Sequence, residues 1–213
     1  MSWMPEGVRV EDRELPGFLE SREWPWLAAP LLVGVVVVLA YLATHPYPAY
    51  GAGLYLHISE RIVENGYRLP TRIPGYTEHG VPFAYPPLMF YVGAVATDLG
   101  VDPLVLSRYV PAVVTVGYLV PYYYLARELL RDRPEASLAT VLLAVAAPTL
   151  QWHLSAGGFV RAPAFLLAVT GCYVGVRLFR SGEPRWLVPG TLLFGLTRGM
   201  WSFSKRFCGT ASM

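Results

Sequence analysis

The amino-acid sequence predicts an all-α fold, a bundle of several membrane-crossing helices with a long first external loop. Hydrophobic residues make up 54% of the 213 residues and charged residues only 15%, whereas soluble proteins carry about 25% charged residues. The charges are absent from whole stretches, several of which approach the ~20 residues that cross a bilayer core. Basic residues cluster between those stretches. Together these observations predict a multi-pass protein of the lipid bilayer.

Composition also excludes two other classes of protein. The net charge of +2 is small, and no Lys/Arg-rich tract is present, so the chain is not expected to bind nucleic acid. Its two cysteines form neither a disulfide framework nor a zinc site. Cys172 lies in an apolar run and is expected to be a small buried hydrophobic residue.

The predicted elements begin with a polar tail, residues 1–24, followed by an uncharged first span at 26–44. No small-residue cleavage site follows this span, so we expect a retained helix instead of a removed leader. Later spans are predicted at 109–126, 136–152, 162–179 and 186–203. Residues 204–213 change character and are expected to be an aberrant or truncated tail, as after a frameshift.

The short apolar segment 84–97 decides the topology. Arginines cluster after two of the spans (Arg127, Arg131 and Arg133; Arg177, Arg180 and Arg185), and loops rich in Lys and Arg are cytoplasmic. Both clusters and the N-terminus lie inside only if the segment 84–97 does not cross. We therefore predict a cell-membrane protein with a cytoplasmic N-terminus, five spans and an external loop 45–108, in which 84–97 is a re-entrant or interfacial helix.

Within this loop, residues 51–65 have helical periodicity, with an apolar stripe of Leu54, Ile58 and Ile62. Gly66 is placed to end the helix in the left-handed conformation. Such a helix is expected to lie flat on the membrane surface.

Two groups of polar residues on the loop are candidates for chemistry. His57, Glu60 and Glu64 can share a helix face, where a carboxylate and an imidazole could bind a divalent ion or act as a general base. The alternative is a solvated polar face on which Arg61 pairs with Glu64. Glu78 and His79 lie in a turn flanked by glycine and proline, where they are either functional or ordinary turn residues.

The second external turn, residues 153–161, is a further candidate. Gly157 and Gly158 would let the backbone approach a ligand closely. Arg161 would either hold a phosphate with its planar guanidinium group or extend along a helix end toward water. His153 and Trp152 are interpreted as interfacial anchors, and the run Tyr122-Tyr123-Tyr124 as packing.

The order of these parts resembles that of the GT-C membrane glycosyltransferases, which include oligosaccharyltransferase catalytic subunits, protein mannosyltransferases and aminoarabinose transferases. The resemblance covers about 45–180. It rests on YLHISERIVENGYRLP at 55–70, FAYPPLMFY at 83–91, SRYVPAVV at 107–114 and SAGGFVRAPAFLLA at 155–168.

The resemblance implies sugar transfer from a polyprenyl-phosphate-linked donor at the external face. An acidic residue of the first loop would act as the base or would bind Mg²⁺ or Mn²⁺. The family's acid lies just after the first span, but residues 47–53 contain no Asp or Glu. Its role would therefore fall to Glu78 or Glu60, and Arg161, with His79 and His57, would bind the donor. Because family members are longer, the chain resembles their N-terminal part.

Two other functions compete with transfer. The missing acids and the short chain favour a degenerate, non-enzymatic membrane protein whose loop binds a partner or assists assembly. A transporter is less favoured, because transporters carry charges near the membrane midplane and the spans before the last one lack a central charge.

Overall fold

The computed structural model describes residues 23–48, 51–75, 77–83, 85–130, 132–155 and 158–201. Residues 198–201 are described without side-chain detail. The predicted N-terminal tail up to residue 22 and the predicted aberrant tail 204–213 lie outside the described residues.

An all-α fold is confirmed. The described residues form eight α-helices: α1 (Trp24–Thr44), α2 (Ala52–Glu64), α3 (Leu88–Asp98), α4 (Pro103–Gly117), α5 (Leu119–Leu129), α6 (Arg133–Val145), α7 (Gly158–Ser181) and α8 (Leu187–Trp201). A π-helical segment, Thr149–Ser155, and a 3-10 turn, Pro184–Trp186, precede α7 and α8 respectively. The described strands are β1 (Arg72–Ile73) and β2 (Val81–Pro82), which pair antiparallel.

Among the described residues, three helical stretches are long and apolar enough to cross a membrane: α1, the nearly continuous pair α4–α5 (Pro103–Leu129), and α7. Helix α6 and the π-helical segment make a fourth if they are counted as one bent span. The second of these starts six residues before the predicted span 109–126, so its first turns occupy what was expected to be the end of the external loop. The described part of α8 has 15 residues and ends at Trp201, the last residue that the structure describes.

The predicted straight span 136–152 is broken. Helix α6 ends at Val145, and the π-helical segment continues after a bend of 62°. Pro148 explains the break, because it has no amide hydrogen to donate to the carbonyl of Ala144. The hydroxyl of Thr149 instead donates to the carbonyl of Leu143 at 2.7 Å.

Ion pairs define one end of the bundle. The Glu23 carboxylate, just before α1, accepts hydrogen bonds from Arg127 Nε (3.1 Å) near the end of α5 and from Arg133 Nε (2.7 Å) at the start of α6. Arg177 in the last turns of α7 donates to Glu128 at 2.8 Å. We call this the charged end.

The opposite end, which we call the cavity end, holds the end of α1 and the start of α4. These are joined there by a hydrogen bond from Arg108 to the carbonyl of Leu42 (2.6 Å). Residues 45–102 therefore leave and re-enter the bundle at the same end. Helix α3, with 11 residues, does not run from one end of the bundle to the other.

Helix α2 packs against α3 at the cavity end. Ile58 and Ile62 are fully buried in a cluster with Phe90 of α3, so the apolar stripe faces protein rather than an open membrane surface. Gly93 permits the close approach, because a Cβ there would lie 2.6 Å from the Ser59 hydroxyl oxygen.

The predicted cap of α2 is confirmed. Gly66 has φ +62°, its amide donates to the carbonyl of Val63, and the amide of Tyr67 donates to the carbonyl of Ile62. These two bonds form a Schellman motif, which ends the helix.

Candidate functional site

A cavity of about 540 Å³ opens at the cavity end of the bundle. Its wall combines α2 (Tyr55), the segment before α3 (Tyr85), the π-helical segment (His153), α7 (Arg161) and α8 (Thr197). Three of the four sequence motifs that carry the family resemblance thus contribute residues to one cavity. Clefts of about 300–1,000 Å³ with few polar groups are typical of small-molecule sites.

Arg161 is the cationic residue of the cavity wall. It lies in the first turn of α7 and not in a loop, since α7 begins at Gly158. Its guanidinium carbon is 4.5 Å from the centre of the Trp152 ring, a cation–π contact that orients the group. An arginine at this position can form two parallel hydrogen bonds to a phosphate or carboxylate.

The close approach of α7 to the π-helical segment depends on Gly158. A Cβ at this position would lie 1.7 Å from the carbonyl oxygen of His153, a distance no side chain can occupy. Gly158 therefore permits a close approach to the protein's own backbone, whereas the predicted approach to a ligand stays a prediction and Gly157 lies outside the described residues.

His153 takes part in a hydrogen-bond chain that the sequence did not indicate. Its Nδ1 is 3.1 Å from the Tyr118 hydroxyl, and that hydroxyl donates to Thr149 Oγ1 at 3.4 Å. The ring also packs against Phe165, with a centroid distance of 4.9 Å. His153 is thus part of the cavity wall, not an anchor at the surface. The signal in the sequence was Pro148, whose break of α6 turns His153 inward.

Tyr55 and Tyr85 bring hydroxyl groups to the same cavity, and their rings meet edge to face at 5.5 Å. Burial raises the pKa of Tyr55, which the nearby charge of Arg161 partly counteracts. Tyr55 therefore remains neutral near pH 7, when a hydroxyl both donates and accepts hydrogen bonds.

A second, apolar groove of about 580 Å³ runs between α7 and α8. It shares Ala168 and Thr197 with the cavity and continues along α7 to Leu178. Gly171 and Gly175 line it, and a Cβ at either would meet no atom within 4 Å. Cys172 is exposed on the same groove, so the expectation that it is buried was wrong.

The loop residues predicted to bind metal do not gather into a full site. His57 Nδ1 is 3.8 Å from Glu60 Oε2, while Glu64 pairs with Arg61 at 2.6 Å, as the alternative interpretation expected. No group of three or more His, Cys, Asp or Glu side chains in the described part of the chain could hold a metal ion. The expected Mg²⁺ or Mn²⁺ site stays a prediction.

Glu78 and His79 lie in the turn between β1 and β2 and are exposed. The carbonyl of His79 accepts a hydrogen bond from Arg72 Nε at 2.8 Å. The structure places neither Glu78 nor Glu60 among the residues that line the cavity. Of the five predicted site residues, Arg161 alone belongs to that wall.

Buried charges at the charged end are matched by partners. Burial alone would raise the pKa of Glu23, but hydrogen bonds from Arg127, Tyr123 and Arg133 lower it overall to about 2. The Tyr123 hydroxyl donates to Glu23 Oε2 at 2.6 Å. Tyr123 is fully buried, which agrees with the predicted packing role of the tyrosine run.

The site is thus a largely apolar cavity with one wall-lining arginine and a few polar groups, and it shares Ala168 and Thr197 with an apolar groove. No family model, curated protein or solved structure matches the chain.

Proposed function

We propose that the chain is a multi-pass protein of the cell membrane that binds a polyprenyl-phosphate-linked sugar at the external face, as a glycosyltransferase. The observation that carries the proposal is that the cavity with Arg161 lies next to the apolar groove and shares two wall residues with it, Ala168 and Thr197. A cationic residue in the wall of one largely apolar cavity, beside a second apolar groove, suits a ligand with an anionic head and a hydrocarbon tail.

The orientation follows from charge. The charged end gathers Arg127, Arg133, Arg177 and Arg180 around two buried glutamates, and the positive-inside rule assigns such an end to the cytoplasm. In that orientation the N-terminus is cytoplasmic, the cavity faces outward, and α3 is an interfacial or re-entrant helix. A cysteine introduced at Asp132 should then react only with reagents that enter the cell. Labelling from outside intact cells would overturn the orientation.

The dimensions of the groove support a long lipid tail. From Arg161 to Leu178, α7 rises about 25 Å at roughly 1.5 Å per residue, close to the ~30 Å hydrocarbon thickness of a bilayer. A phosphate bound at Arg161 would lie near one membrane surface while its chain follows α7 inward. The Tyr55 and Tyr85 hydroxyls, which line the cavity, would contact the sugar.

Binding can be tested with a fluorescent polyprenyl phosphate and the purified protein in nanodiscs. Leucine at Gly171 should fill the groove without a clash and weaken binding at least tenfold. Gly195→Leu on α8 is the matched control, because a Cβ at Gly195 also meets no atom within 4 Å and this residue does not line the groove. Equal binding by the two variants would exclude the groove as the tail site.

Cys172 provides an independent readout in a Cys208→Ser background. Its thiol lines the groove, so bound polyprenyl phosphate should slow its modification by a maleimide. Free phosphate, which has no tail, should not protect the thiol. Protection by free phosphate, or none by the lipid, would count against the proposed site.

Transfer itself is tested with a radiolabelled polyprenyl-phosphate sugar in membranes. If a loop carboxylate is the base, Glu78→Gln or Glu60→Gln should abolish transfer while lipid binding persists. Unchanged transfer in both variants would remove the base assignment from these residues.

The second candidate is a partner-binding protein without transfer activity. It is favoured by the positions of Glu60 and Glu78, which are exposed and outside the cavity lining. A stable partner recovered by cross-linking through the α2 surface, together with no sugar transfer, would select it.

A further inference from the structure

We propose that His153 is the proton acceptor of the cavity, held by the Tyr118–Thr149 chain with an unprotonated Nε2 available to a ligand hydroxyl. The proposal rests on the proposed function for its substrate, a hydroxyl-bearing sugar acceptor. It concerns a residue to which sequence patterns assigned no chemistry.

The direction of each hydrogen bond between Leu143, Thr149, Tyr118 and His153 follows from the Leu143 carbonyl, where the series begins. The carbonyl of Leu143 can only accept, so the Thr149 hydroxyl donates to it (2.7 Å). Thr149 Oγ1 can then only accept from Tyr118 (3.4 Å). Because the Tyr118 hydrogen points to Thr149, we assign His153 Nδ1 as the donor to the Tyr118 oxygen (3.1 Å). A neutral histidine with a hydrogen on Nδ1 has a lone pair on Nε2.

The surroundings leave that lone pair accessible. His153 lines the cavity, and the ring packs between Tyr118 and Phe165, at centroid distances of 5.4 and 4.9 Å. Within the described residues, no hydrogen bond to Nε2 is present, and Nε2 is not a buried unpaired atom. The aromatic neighbours fix the ring, as a positioned base requires.

The step balances with groups on the cavity wall. The oxygen of the acceptor hydroxyl forms a bond to the anomeric carbon of the donor sugar and passes its proton to His153 Nε2. The bond between the anomeric carbon and the phosphate oxygen breaks, and the electron pair leaves with the polyprenyl phosphate. Arg161 binds that phosphate, and the imidazolium then releases its proton to water. Tyr118, which accepts from Nδ1, stabilises the transient positive charge.

The hydrogen position is measurable without any activity. In protein labelled with ¹⁵N-histidine, the His153 signals, assigned by their loss in His153→Gln, should show a protonated Nδ1 and an unprotonated Nε2 at neutral pH. Tyr118→Phe keeps the ring and removes the hydroxyl, so it should shift the population toward protonated Nε2. A wild-type ring protonated on Nε2 would overturn the proposal.

Transfer and binding measured side by side separate this inference from the proposed function. His153→Gln should lower the transfer rate about 10²–10⁴-fold and leave polyprenyl phosphate affinity within about twofold, while His45→Gln, at the same end of the bundle, should change neither. Transfer retained in His153→Gln overturns the proton-acceptor role with lipid binding intact.

Failure of the wild-type protein to bind the lipid refutes the proposed function, whereas the ¹⁵N measurement still decides the protonation of His153. If His153 in the wild-type protein is protonated on Nδ1 but the protein transfers no sugar, the proposed proton transfer to Nε2 is overturned.

Discussion

The two ends of the bundle use arginine in opposite ways. At the charged end, Arg127, Arg133 and Arg177 bind glutamates that are almost fully buried. At the cavity end, Arg161 is exposed, stacks on Trp152 and lines a cavity whose described wall contains no carboxylate. The first set holds helices together, because an unmatched buried charge is costly. The second has the geometry to meet an anionic ligand.

The largest effect is expected from removing the Glu23 carboxylate, which links the start of α1 to α5 and α6. Glu23→Ala leaves Arg127 and Arg133 without their shared partner, and such losses cost about 3–5 kcal/mol. The free energy of unfolding, measured by denaturant titration in detergent micelles, should fall by that amount. Glu135→Ala on the exposed first turn of α6 should change it by less than about 0.5 kcal/mol.

Acid should produce a similar loss without mutation. The folded pKa of Glu23 is depressed from 4.5 to about 2, so its ionised form contributes stability that is fully present above pH 4.5. That contribution, on the order of 3 kcal/mol, is lost as pH falls toward 2. Melting temperatures across this range should show a step that is absent in Glu23→Gln. An identical pH dependence in the two proteins would show that Glu23 does not cause the loss.

A smaller effect is expected at Arg177, which is 6% exposed. Arg177→Gln removes its charged hydrogen bond to Glu128, but Arg180 still contacts that carboxylate. Hydrogen bonds to charged groups contribute about 1.5–3 kcal/mol, and unfolding in micelles should become easier by about 2–3 kcal/mol. Arg185→Gln, at an exposed pair on the same side of the molecule, is the control.

The same substitution at the cavity end should barely affect folding. Arg161→Gln removes a cation–π contact of roughly 0.5–1 kcal/mol from an exposed side chain, so the unfolding free energy should fall by less than it does for the substitutions at the charged end. Affinity for polyprenyl phosphate should fall about tenfold or more, equivalent to about 1.4 kcal/mol. A large loss of stability here would erase the distinction between the two ends.

Much of the helical layout was predictable because its causes are local. The apolar stripe and Gly66 predicted α2 within one residue of its bounds, since periodicity and capping depend on neighbouring residues. The Arg clusters predicted that the segment 84–97 does not cross the membrane, and the structure forms an 11-residue helix there, α3. By contrast, the break at Pro148 was missed. The uninterrupted apolar run 136–152 favoured a single span, although Pro148 has no amide hydrogen for a helical hydrogen bond.

The cavity could not be predicted from local sequence patterns, because its residues come together only when the chain folds. His153 reaches Tyr118 across 35 residues, and Glu23 reaches Arg133 across 110. Glu78 and Glu60 were plausible on polarity alone, yet the fold leaves them outside the cavity wall.

By itself, the sequence determined which stretches form apolar helices and which end gathers the arginines, because hydrophobic periodicity and charge act along the chain. Tertiary structure alone decided that Arg161, His153 and Tyr55 share one cavity and that this cavity lies next to the groove that Cys172 lines. The physical reason is that such a site is a space between helices, and its shape depends on how distant side chains pack.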